Sequence, residues 1–144
     1  MMGEELNRAD VTQGGLAGDR AYALVDKCDG KVATAKNPRK WPQLFDFRAA
    51  LADVPRADAK VPPVRITLPD APSSAVSKAT FHQVLSTVLK REATLSALSD
   101  LHAATAEEYW PDMEGLDHRN TITEFGLPEG TFFDCAVVHL LTTA

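Results

Sequence analysis

The stretch that decides the fold is Val11-Thr12-Gln13-Gly14-Gly15-Leu16-Ala17-Gly18-Asp19-Arg20-Ala21-Tyr22-Ala23-Leu24-Val25-Asp26. Its three closely spaced glycines mark a turn whose backbone takes positive φ or comes close to another group. Ala21 to Asp26 is then apolar at almost every position, as in a strand covered on both faces. Asp29-Gly30 separates it from Lys31-Val32-Ala33-Thr34-Ala35. Asp-Gly suits a type I′ turn, because both central residues need φ > 0, so the spacing predicts a β-hairpin.

Outward from this hairpin the signals are mostly those of strands. Residues 5–12 could form one, although their alternation is poor. Lys36-Asn37-Pro38-Arg39-Lys40-Trp41-Pro42 is a basic loop bounded by prolines. Phe45, Phe47 and Ala49 alternate with Asp46 and Arg48, which predicts a half-buried strand. Pro55, Pro62 and Pro63 make residues 53–63 a connection. Val64, Ile66 and Leu68 alternate with Arg65 and Thr67, a further strand. Phe81, Val84, Leu85, Val88 and Leu89 lie on one face of a helix. Ser77 or Thr80 can cap its start, and Lys90 and Arg91 suit its C-terminal end. Residues 92–97 read as a short strand. Residues 98–129 show little pattern and are interrupted by Pro111, Gly115, Gly126 and Pro128. The apolar middle of Asp134 to Ala144 reads as a buried strand. The expected fold class is mainly β with one or two helices (α+β), a barrel-like structure with a helix packed on it.

With 144 residues and 15.6 kDa, the chain suits one domain with a real hydrophobic core. Its net charge of -5 argues against broad electrostatic binding to nucleic acid or to an anionic membrane. No apolar run approaches the roughly 20 residues of a bilayer-spanning helix. The polar, acidic start is not a signal peptide. Cys28 and Cys135 are too few for a disulfide framework, so a cytoplasmic protein with reduced thiols is expected. The charge is unevenly placed. Residues 1–48 sum to +1, residues 49–98 to +2 and residues 99–144 to -8. An anionic ligand would meet the first part of the chain, and the acidic stretch Asp100–Glu129 reads as a solvated surface or a mobile loop.

Candidate chemistry is sparse. Glycine N–H groups can approach an anion, Gly18 among them, and Arg20 can make a bidentate contact to phosphate. The competing and, on chemistry alone, favoured reading is a structural turn with an Asp19–Arg20 surface pair. The spacing fits neither a dinucleotide fingerprint nor a P-loop. Lys36, Arg39 and Lys40 beside Trp41 could clamp an anion. The favoured alternative is a solvated turn with Trp41 in the core. His82, His102, His118 and His139 show no metal-ligand spacing, and His82 and His139 read as structural. Cys28 is expected exposed and Cys135 buried.

The order of these segments resembles the N-terminal β-barrel module of MOSC proteins, relatives of the C-terminal domain of molybdenum cofactor sulfurase. The resemblance rests on Gly15-Leu16-Ala17-Gly18-Asp19-Arg20 in its strand context and on the hairpin at Gly30-Lys31. Thr34-Ala35-Lys36-Asn37-Pro38, Val64 to Pro69 and Val88 to Leu95 continue it, and Phe133 to Ala144 resembles the start of the catalytic MOSC domain. It implies residues 1–98 as the barrel-like module, 99–130 as an irregular acidic connection and 131–144 as the incomplete start of a MOSC domain. It also implies a molybdenum cofactor (molybdopterin), serving reduction of N-hydroxylated compounds or sulfur handling on the cofactor. Arg20 matches the arginine that contacts the cofactor phosphate, with Gly18 beside it, and Thr142 and Thr143 fall where small hydroxyl residues lie near the cofactor. The family's metal-ligating cysteine lies downstream of residue 144, so the resemblance implies a fragment or short gene product, inactive alone, with no catalytic or metal-binding residue of its own. Two readings stand beside it. One is a non-catalytic module that recognises an anionic small molecule or a partner protein. The other is an assembly protein in which exposed strand edges pair between chains as a homo-oligomer.

Overall fold

The computed structural model describes residues 5–68, 78–100 and 103–132. Among the described residues eight strands and one α-helix follow one another. They are β1 (Val11–Thr12), β2 (Gly15–Leu16), β3 (Tyr22–Asp26), β4 (Arg48–Leu51), β5 (Val64–Thr67), α1 (Lys78–Leu89), β6 (Ala93–Ala97), β7 (Thr105–Trp110) and β8 (Thr121–Gly126). Strands with one α-helix agree with the expected class. The strands form four antiparallel pairs, β1–β2, β3–β6, β4–β5 and β7–β8. The barrel expectation needs correction, because closure requires a strand partner on both sides. Among the described residues each named strand has one strand partner, and no closed barrel forms. Among the described residues Val32 links two of the pairs, bridging Val25 antiparallel and Ala106 parallel.

The predicted hairpin survives as a reversal with an isolated antiparallel bridge, Val25 with Val32, but Lys31–Ala35 forms no strand and the turn is not type I′. Four residues, Lys27–Gly30, close between Asp26 N–H and the Lys31 carbonyl (2.9 Å), and Gly30 N–H donates back to the Asp26 carbonyl (2.9 Å). Gly30 takes φ +73°, whereas Asp29 is not among the residues with positive φ. The Asp26 carboxylate accepts from Cys28 N–H at 2.9 Å and bends the chain before Asp29 is reached.

Phe45, Phe47 and Ala49 do not share a strand face. A 3-10 turn over Leu44–Asp46 breaks the period of two, leaving Phe45 59% exposed while Phe47 is fully buried. The strand starts only at Arg48.

The helix begins at Lys78, ahead of Thr80, and Ser77 lies outside the described residues. Leu85 and Leu89 point its apolar face into the main core with Leu24, Trp41, Leu44, Phe47 and Ala93. Its C-terminal end has the Schellman pattern, with Arg91 N–H bonded to the Ser86 carbonyl (3.1 Å) and Lys90 N–H to that of Thr87 (3.3 Å). Lys90 takes the left-handed position usually given to glycine, at φ 52°. The sharp turn delivers Arg91 back toward β3.

The stretch expected to be irregular and solvated holds β7 and β8. Their register runs from Thr105 opposite Gly126 to Trp110 opposite Thr121. Ala106 is buried with Val25 and Val32 in a second, smaller core. The strand expected near the C-terminus, with Cys135 and His139, lies outside the described residues. No helix among the described residues is long and apolar enough to cross a membrane.

Candidate functional site

The glycine turn is two tight turns in series. Asp19 N–H donates to the Leu16 carbonyl (3.0 Å) and Ala21 N–H to the Gly18 carbonyl (3.4 Å). Gly18 takes φ +80° in the first and Arg20 φ 49° in the second. Both of those N–H groups are therefore spent on backbone carbonyls rather than turned toward an anion. The need for glycine at 18 is steric. A Cβ there would lie 2.7 Å from Leu51 Cδ1 and 2.7 Å from Pro55 Cβ.

This packing builds one wall of a cleft of about 280 Å³. Leu6, Ala17, Ala50, Leu51, Pro55 and Val64 supply much of its apolar lining, and Arg20 and Tyr22 reach it from the turn and from β3. Tyr22 is fixed by donating its hydroxyl to the Pro62 carbonyl at 3.1 Å. Arg20 Nε lies 3.6 Å from an Asp19 carboxylate oxygen. The cleft is thus mostly apolar, with Arg20 and its neighbour Asp19 among its lining residues.

The basic loop does not share this cleft. None of Lys36, Arg39 and Lys40 lines it; the expectation of a solvated basic turn holds for Lys36 and Arg39, which are exposed, and fails at Lys40. Trp41 is buried as expected, but the Lys40 side chain is only 11% exposed. Its ammonium meets Asp29 at 2.6 Å, Glu107 at 3.2 Å and Asp26 at 3.3 Å. Asp26 is fully buried and also holds Arg91 at 2.9 Å. Lys31 bonds Glu107 at 2.6 Å and also pairs with Glu124. Asn37, fully buried, donates to Glu107 at 3.2 Å and accepts from Lys40 N–H at 3.2 Å.

Burial works against charge at Lys40, but hydrogen bonds to Asp29, Glu107 and Asp26 outweigh it and raise its pKa. The same contest lowers Glu107, where hydrogen bonds from Lys31 and Lys40 win over burial. Asp29 is lowered as well, its own burial being overcome by bonds from Lys40 and Lys31 N–H. Hydrogen bonds to Glu107 and Glu124 hold the Lys31 ammonium above its usual range. These shifts hold Lys31, Lys40, Asp29 and Glu107 in their charged forms, each answered by its neighbours, so the cluster is a fastening rather than a reaction centre.

The model of the MOSC N-terminal beta barrel domain family matches residues 1–110. The chain belongs to this family. No curated protein and no solved structure matches it. The MOSC match spans the glycine turn, the cleft, the helix and β7. Thr142 and Thr143 lie outside the described residues. Among the described residues no group of histidine, cysteine, aspartate and glutamate side chains could hold a metal ion, and Cys28 is exposed on the hairpin loop. His82 accepts a long bond from Leu95 N–H, 3.4 Å, joining α1 to β6 in keeping with a structural role. Sequence reading missed Asp26, Asn37 and Glu107. Their signal was faint: a carboxylate ending an apolar strand, an asparagine before proline, and one acidic residue two positions before Tyr109.

Proposed function

We propose that this chain is a non-catalytic, cofactor-contacting module of a MOSC-type molybdenum cofactor protein, with Arg20 as its contact to the cofactor phosphate. The observation that supports the reading is an arginine among the lining residues of a mostly apolar cleft, in a chain of the MOSC family. The residues fit that part of the group and no more. Arg20 offers the planar donor fork that phosphate oxygens accept. The metal finds no donor set among the described residues. When bound, the cofactor supplies redox or sulfur chemistry at its molybdenum. The chain's own part is to bind and orient. Asp19 holds the guanidinium in place and competes with the phosphate for it. Gly18 lets Leu51 and Pro55 close the wall.

Fluorescence titration with an oxidised, phosphorylated pterin tests this. Losing one charge-assisted pair is worth about 1.5–3 kcal/mol, so Arg20→Gln should weaken binding by about ten-fold or more. Asp19→Asn should tighten it. Equal affinity of wild type and Arg20→Gln would overturn the assignment.

A further inference from the structure

Two groups of charged side chains have no partner among the described residues, and they are of opposite sign. The first is on the β4–β5 ribbon. Its register sets Arg48 opposite Thr67 and Ala50 opposite Arg65. Residues two apart along a strand, and residues opposite across a pair, share a face. Arg48, Ala50, Arg65 and Thr67 therefore stand on one face, and Ile66, on the other, packs against the main core. The two arginines are diagonal neighbours, about 7–8 Å apart at the backbone and within each other's field. Both are exposed, and among the described residues neither has an ion pair, a side-chain hydrogen bond or a ring contact. Three residues before Arg48, the 3-10 turn leaves Phe45 59% exposed.

The second group is at the tip of the β7–β8 hairpin. Leu116 N–H donates to the Met113 carbonyl (3.4 Å) and Gly115 takes φ +87°, which sets Glu114 in a turn with Asp117 just after it. Arg119 is taken by Asp112, whose Oδ1 lies 2.8 Å from its Nε and 2.6 Å from its Nη2. Glu114 and Asp117 are exposed, and among the described residues their carboxylates meet no cation and no hydrogen-bond donor. Met113 beside them is 58% exposed.

Each group thus joins two unanswered charges to one exposed apolar side chain. The chain divides its charge the same way, with residues 49–98 summing to +2 and residues 99–144 to -8. We propose that the outer face of β4–β5 is a docking surface for the β7–β8 tip of a second copy of this chain. Arg48 and Arg65 meet Glu114 and Asp117, and Phe45 and Met113 add apolar contact. Different surfaces of the two copies meet, so the contact is heterologous. Exposed ion pairs are individually weak and screened by salt, so the association is weak and salt-sensitive.

Sedimentation equilibrium of the full chain tests this. At low salt the weight-average mass should climb above 15.6 kDa as the concentration rises. Adding salt to about 0.5 M should lower the association constant at least tenfold. The double variant Arg48→Glu with Arg65→Glu should stay monomeric at low salt, and so should Glu114→Lys with Asp117→Lys. Both should keep the wild-type Tm within about 4 °C, because no described side chain loses a partner. Mixed in equal amounts, the two should associate again, since each then offers the charges that the other lacks. If either fails to fold, Arg48→Gln with Arg65→Gln takes its place and should lower the wild-type association constant at least tenfold. A wild type monomeric at low salt, self-association that ignores salt, or folded variants that do not associate on mixing would overturn the proposal. Binding of a decaglutamate peptide without self-association would overturn the second copy as the occupant of this face.

Discussion

Replacing Asp26 by alanine should remove a large part of this domain's stability. The side chain is fully buried and carries three partners at once: Arg91 at 2.9 Å, Lys40 at 3.3 Å and Cys28 N–H at 2.9 Å. Removing one member of a buried pair costs about 3–5 kcal/mol, because the remaining charge stays desolvated. Two features lower that figure here. Lys40 keeps Asp29 and Glu107, and the Arg91 side chain is 36% exposed and can turn to water. The Cys28 N–H loses its acceptor, about 1 kcal/mol. The balance is a loss of about 3 kcal/mol out of a typical 5–15 kcal/mol, or a fall in Tm of about 6–12 °C. Asp26→Asn keeps the shape and the acceptor for Cys28, so it should cost clearly less than alanine. Urea unfolding at neutral pH, followed by circular dichroism, measures both. An alanine variant within about 0.5 kcal/mol of wild type, the scatter of ordinary surface changes, would refute the claim that Asp26 pins the hairpin, the loop and the helix end together.

Other perturbations separate the remaining parts of the account. Gly18→Ala meets Leu51 and Pro55 at 2.7 Å, while Gly30→Ala at φ +73° meets nothing within 4 Å. The second should cost only the left-handed penalty of about 1–2 kcal/mol, and the first distinctly more; equal Tm losses would contradict the close packing at Gly18. Phe47→Ala empties the middle of the main core and should cost about 3–5 kcal/mol in urea unfolding. Asp29 and Glu107 have lowered pKa values in the fold. Their stabilisation is present above the usual carboxylate range near pH 4 and is lost as pH falls through the lower folded values. Lys31 and Lys40 are raised. Their contribution is complete below the usual lysine value near 10.4 and is lost as pH rises through the folded values. The urea midpoint should therefore fall on both sides of a neutral plateau, and a midpoint flat from about pH 6 to pH 3 would contradict the acid limb.

Local signals carried the fold where the sequence pattern and the physical cause coincide. Leu24 and Val25 are buried as their apolar run suggests, and the helix follows its 3.6-residue period to Leu85 and Leu89. Val64–Thr67 alternates as written and pairs with β4. Alternation misled at Phe45, where a 3-10 turn rotates the side chain out to solvent. The β7–β8 hairpin was illegible for a different reason. Its strands are acidic and threonine-rich, and Glu107 is answered by cations distant in sequence, so Thr105 to Trp110 shows no local apolar stripe. Lys40 was misjudged on the same ground. A lysine in a basic loop reads as solvated until Asp26, Asp29 and Glu107 are brought around it. At the cleft, the sequence marked Gly18 and Arg20 but not the reason for Gly18, which is the approach of Leu51 and Pro55 from β4 and the loop after it.

The most direct test of the central claim is the molybdenum and pterin content of the chain purified from a host that makes the cofactor. Elemental analysis gives the metal, and fluorescence after oxidation gives the pterin. The proposed module, whose described residues offer the phosphate one arginine and the metal no ligand set, should emerge folded with molybdenum and pterin far below one per chain. Molybdenum and pterin together at one per chain would contradict the account, because a single arginine contact would not explain retention of the whole cofactor.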